Sequence, residues 1–162
     1  MASLNIATAM AVNPEYLKPV VVEDMPCEML EKISERVIPS FCYDNSLVAL
    51  VQLQLEKIVY GFAHVTIGDQ QIPIEHCWVK GKCGTYYDPT YQCLIEQGKY
   101  IETNYYSLVE LTSKEYFDIA LTECGDSVAN IVALDFMGLR VSGQLQLYFQ
   151  HKDATVKERN KD

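Results

Sequence analysis

Basic residues are scarce in this chain. Thirteen lysines and arginines stand against 22 aspartates and glutamates, a net charge of −9. Such a surface repels polyanions, so neither nucleic acid nor an acidic membrane is expected as a main partner. No run approaches the ~20 apolar residues that a membrane span needs. The opening stretch MASLNIATAMAVNPEY has no basic residue ahead of its apolar run, which Asn5, Thr8 and Asn13 interrupt, so a signal peptide is not expected. Internal repeats, low-complexity tracts and phosphate-cradling glycine loops are missing as well. So are Cys-x-x-Cys pairs. His76, Cys77, Cys83 and Cys93 lie close in sequence, but the first two would face opposite ways on a strand. Structural zinc favours closer paired ligands, so no metal and no cofactor is implied.

What is present suits one α+β domain over residues 1–150. The chain's 162 residues are 49% hydrophobic and 22% charged, enough to bury a core. The charged tail, 151–162, lacks core-forming periodicity. Six cysteines without an export signal read as thiols in a reducing, cytoplasmic compartment.

Along the chain, residues 14–22 suggest an arm or short strand. A helix is expected from Pro26 to Val37, capped by Asp24 and ended by Pro39. A denser apolar helix follows from Cys42 or Asp44 to Ile58, then a strand from Val59 to Ile67. Pro73–Val79 and Thr85–Tyr87 read as two strands around a turn at Gly81–Gly84. Beyond a polar loop from Leu94 to Asn104 come a strand at Tyr105–Leu111 and a helix to about Cys124, opened by the capping box Thr112-Ser-Lys-Glu115. A helix from Ser127 to Met137 with Gly138 as its cap, and a strand at Gln144–Phe149, complete the expectation.

The chemistry concentrates in Glu75–Thr90, EHCWVKGKCGTYYDPT. On neighbouring strands His76 and Asp88 come within cross-strand reach, and a carboxylate beside an imidazole fixes its tautomer and stabilises its protonated form. Cys42 supplies a nucleophile. In the first turn of a helix, free amides and the helix dipole favour its thiolate. The plainer alternative is that free cysteines are commonly core residues, and Cys27, Cys77, Cys83, Cys93 and Cys124 are read so. His64 is a rival base with no carboxylate beside it in sequence. Trp78 shares a strand face with His76 and either shelters the imidazole or fills the core.

The order of these pieces resembles the transglutaminase-like superfamily within the papain-like cysteine enzymes. Cys42 at a helix start, a strand opening at Tyr60-Gly61, His76-Cys-Trp78 and Asp88-Pro-Thr90 follow that pattern over Ser40–Thr90. The resemblance implies a central helix bearing the cysteine, packed on an antiparallel sheet that carries His76 and Asp88. It further implies a Cys42–His76–Asp88 triad attacking an amide or isopeptide bond through a thioester. Protease, amidase, deamidase, transglutaminase and acetyltransferase chemistries share these groups; hydrolysis is favoured. The expected substrate is a protein or peptide, with a small amide as the alternative. The glutamine that papain-like enzymes often place ahead of the nucleophile is absent. The Cys42 amide, Asn45, Tyr43 and Tyr60 remain open as oxyanion donors, Asn45 first. A catalytically inactive member of the fold, acting as a binding or inhibitory module, is the alternative from another class.

Overall fold

A computed structural model describes residues 14–96, 102–124, 133–136, 139, 143 and 146–150. Of the expected loop Leu94–Asn104 and helix Ser127–Met137, residues 97–101 and 127–132 lie outside the described residues, as does the tail 151–162. Of the remainder, 94–96 are helical and 103–104 strand, correcting the loop, and 133–135 are not helical, correcting the helix. The chain falls into two compact units, Met1–Tyr116 and Phe117–Asp162, where the sequence suggested one domain. All the strands among the described residues belong to the first.

The architecture is mixed α/β around a six-stranded, nearly closed sheet ordered β1-β6-β3-β4-β5-β2. The strands are β1 (Lys18–Val20), β2 (Val22–Glu23), β3 (Lys57–Ile67), β4 (Gln70–Lys80), β5 (Tyr86–Tyr87) and β6 (Thr103–Thr112). β3 and β4 form a long hairpin through Gly68-Asp69, registered Gly61 to His76 and Val59 to Trp78. β1 runs antiparallel to β6, and one residue later β2 runs parallel to β5. A single extended segment thus reaches both edges of the sheet. The parallel pairing departs from the antiparallel expectation. Gln92 secures this segment from the helix after β5, accepting from the Met25 amide at 2.7 Å and donating to the Met25 carbonyl at 2.9 Å.

Residues paired directly across antiparallel strands share a face. His76, Trp78 and Lys80 therefore lie on one face with Val59 and Gly61, and Tyr60 and Cys77 on the other. Val59, Trp78 and Tyr86 form a buried cluster against which Val20, Val22 and Tyr105 pack. Between β3 and β6 the register shifts at Tyr60/Gly61, where Leu108 is an extra residue on β6. Gly61 is obligatory for space: a Cβ there would overlap the Tyr106 carbonyl oxygen and meet the edge of the Trp78 indole.

Among the described residues up to Cys124 the α-helices are α1 (Cys27–Glu31), α2 (Cys42–Gln52), α3 (Pro89–Glu96) and α4 (Ser113–Cys124). α1 stops six residues before the expected Val37. Asp24 does not cap it, and Ser34 Oγ donates to the Glu31 carbonyl at 3.3 Å as the chain turns into a 3-10 turn at Ser34–Arg36. α2 also ends early, at Gln52 rather than Ile58. Leu55 N–H returns to the Leu50 carbonyl and Gln54 N–H to Val51, with Gln54 at φ 51°. This is a Schellman ending without the usual glycine. α4 opens on the expected capping box: Glu115 N–H donates to Thr112 Oγ1 at 3.2 Å, and Thr112 N–H to Glu115 Oε2 at 3.1 Å.

In the second unit Leu134, Phe136 and Leu139 are buried. Residues 146–150 are helical, correcting the expected strand at Gln144–Phe149. Alternation over so few residues is shared by both periods, and leucine and glutamine favour the helix. No helix among the described residues is long and apolar enough to cross a membrane.

Candidate active site

Cys42 occupies the first turn of α2, after an N-cap residue, Phe41, that makes no side-chain cap bond. The turn before it is tightly held. Asn45 Oδ1 accepts from the Ile38 amide at 2.9 Å, and its Nδ2 donates to the Ile38 carbonyl at 2.8 Å and to Thr90 Oγ1 at 2.9 Å. Within that turn Ser40 adopts φ 70°, a left-handed conformation uncommon for serine. Asn45 therefore ties the approach to Cys42 to the start of α3. Both of its amide protons are committed, so it has none to offer an oxyanion.

Asp88 sits between β5 and α3. Extending the β4–β5 register places it opposite Trp78, so it meets His76 on the diagonal. Its Oδ1 accepts from the Thr90 and Tyr91 amides at 3.1 and 3.2 Å, capping α3 with Pro89 at the first helical position. Its Oδ2 accepts from His76 Nε2 at 2.7 Å and from the Tyr105 hydroxyl at 2.7 Å. The carboxylate is buried at 3% exposure, so all four bonds come from protein.

His76, equally buried, is the hinge of the cluster. Burial alone would depress its basicity. The Asp88 charge and hydrogen bond, reinforced by a hydrogen bond and charge from Cys42, outweigh that and push it up to about 10. With Nε2 given to Asp88, Nδ1 is the ring nitrogen that the carboxylate does not engage. Tyr91 of α3 stacks on the imidazole at 4.3 Å and 18°, and Trp78 stacks at 6.1 Å and 27°. Cys77, on the opposite face, is pushed well up by burial and by the Cys42 charge, and so stays a thiol.

No family model, curated protein or solved structure matches this chain.

The structure thus brings Cys42, His76 and Asp88 together. Of the weaker candidates, Trp78 packs against His76. Tyr60 is fully buried in β3, and Tyr43 of α2 stacks on its ring at 5.9 Å. Trp78 is fully buried beside His76, with Nε1 making no hydrogen bond among the described residues. His64 is near Tyr106 rather than the cluster, with its Nε2 also unbonded. Among the described residues no three His, Cys, Asp or Glu side chains gather as metal ligands. Two neighbours, Tyr91 and Tyr105, stand out in the sequence only as members of a tyrosine-rich stretch suited to a binding surface, and their places against His76 and Asp88 were missed. Asp88-Pro89 is a helix-start signal that would have placed Tyr91 in the first turn of α3; Tyr105 had no local signal.

Proposed function

We propose that this chain is a cysteine-dependent acyl-transfer enzyme of papain-like, transglutaminase-like architecture that hydrolyses an amide or isopeptide bond. The reading rests on one observation above all: a single imidazole bonded to a buried carboxylate, with the cysteine of a helix's first turn near enough to raise its basicity. Cys42 Sγ attacks the carbonyl carbon, and the tetrahedral oxyanion takes the Cys42 amide, uncapped at Phe41. Collapse breaks the C–N bond, and His76 gives its proton to the departing amine. Water then attacks the thioester, His76 takes a proton from it, and Sγ leaves as the carboxylic acid product forms. Asp88 holds the imidazole and balances its charge throughout. The acidic surface favours a neutral or basic protein or peptide as substrate, and a set of free thiols fits the reducing cytoplasm.

Iodoacetamide labelling near pH 7, read cysteine by cysteine by mass spectrometry, tests this. Cys42 is expected to react at least about tenfold faster than the exposed Cys27 and Cys83, and His76→Ala to remove the difference. Equal rates at all three would sink the enzyme and leave the binding-module reading.

A further inference from the structure

We infer that Tyr105 is a fourth member of the cluster, a positioning residue that acts on His76 through Asp88; the inference rests on the acyl-transfer reading. Its hydroxyl donates at 2.7 Å to Oδ2, the same oxygen that receives His76 Nε2 at 2.7 Å. Two donors on one oxygen share its charge, so what the phenol draws off the imidazolium does not feel. Burial, then the Asp88 charge and hydrogen bond, hold the Tyr105 proton far above its ordinary range. It is therefore a permanent donor.

The backbone is shaped to deliver this bond. Tyr60 pairs with Val109, but Gly61 pairs with Ser107, leaving Leu108 as a bulge. Without the bulge Gly61 would oppose Leu108, and Tyr105 would turn to the opposite face, away from His76, because a one-residue slip reverses every side chain beyond it. With it, Tyr105 packs edge-on to Trp78 at 5.2 Å, tilted against His76 at 6.3 Å. The groups facing the imidazole are then Cys42 from α2, Asp88 and Tyr91 from the start of α3, Trp78 from its own strand and Tyr105 from β6. Of these, Tyr105 touches neither the sulfur nor the imidazole nitrogens by hydrogen bond, and its influence runs through the carboxylate.

The test is an NMR titration of the His76 ring in the full chain, with His64→Gln and His151→Gln used to assign the three histidines. Asp88→Asn is expected to bring the His76 midpoint down by more than one unit. Tyr105→Phe is expected to raise it by about one unit, as the whole charge of Oδ2 falls on the imidazolium. Site-specific 3-fluorotyrosine at position 105, whose ring fluorine makes the hydroxyl a stronger donor at little change in size, is expected to lower it, and it serves alone if the phenylalanine variant does not fold. A Tyr105→Phe protein that melts lower yet titrates His76 like the wild type, or a fluorotyrosine protein with no shift, overturns the proposal and leaves Tyr105 as packing. Iodoacetamide rates on the same samples keep the two readings apart. A Cys42 no faster than Cys27 defeats acyl transfer, whereas the coupling of Tyr105 to His76 is judged by the titrations.

Discussion

Two carboxylates serve the same face of the sheet, and each collects tyrosine. At one end Asp88 takes His76 and Tyr105 on a single oxygen. At the other, Glu110 of β6 takes the Tyr86 hydroxyl at 2.8 Å and Ser107 Oγ at 2.9 Å on Oε2, and Lys80 Nζ at 3.3 Å on Oε1. The chemistry differs through the cation. An ammonium holds its proton throughout the neutral range, and Lys80 lies over the Tyr86 ring. An imidazole can hand its proton over, and in the proposed mechanism His76 exchanges one with the Cys42 thiol. A tyrosine-braced ion pair is thus a generic way to bury charge in this sheet, and the cation decides whether it is also chemistry.

The largest separation between the two ends is expected from Asp88→Asn. It strips the counter-charge from a buried imidazolium, lowering stability by roughly 3 kcal/mol and slowing Cys42 alkylation by about tenfold. Chemical denaturation and iodoacetamide kinetics read the two effects. The matched change Glu110→Gln is expected to cost about 1–2 kcal/mol, because the Lys80 side chain keeps 19% exposure to water, and to leave Cys42 kinetics untouched. Equal effects of both variants on Cys42 would erase the distinction.

The pH dependence separates the ends by sign. His76 is raised from 6.5 to about 10, so its contribution is complete below 6.5 and is lost as pH rises toward 10. Glu110 is lowered from 4.5: burial opposes the shift, but the Tyr86, Ser107 and Lys80 partners prevail. Its contribution is present above 4.5 and is lost as pH falls below that. The stability gap between wild type and Asp88→Asn should therefore close on the alkaline side, and that between wild type and Glu110→Gln on the acid side. The smallest effect is expected at His64, lowered from 6.5 by burial with no carboxylate to offset it. Its contribution is present above 6.5 and lost below, so His64→Gln should flatten the acid decline by less than about 1 kcal/mol.

Cys42, His76 and Asp88 were legible because each stands at punctuation: a helix start after Pro39, a strand before Gly81, a strand end at Asp88-Pro89. The capping box at Thr112 was legible for the same reason. Local chemistry announces local structure. Asn45 and Tyr105 were not legible in their roles, since one answers to Ile38 and Thr90 and the other to a bulge at Leu108 that no residue type advertises. The end of α2 was hidden because Gln54 does what glycine usually does. The second pairing of the 18–23 segment, parallel to β5, depends on where distant strands meet, and period alone carries no such information.

Gly61 lies across the ladder from His76, at the point where β6 carries its extra residue. Because it has no side chain, the Tyr106 carbonyl and the Trp78 ring share a space that even a methyl group would fill. Alanine there would wedge apart the two walls whose spacing lets the phenol one residue before Tyr106 span the gap to Asp88. A single missing carbon at position 61 thus sets the gauge of the whole cluster.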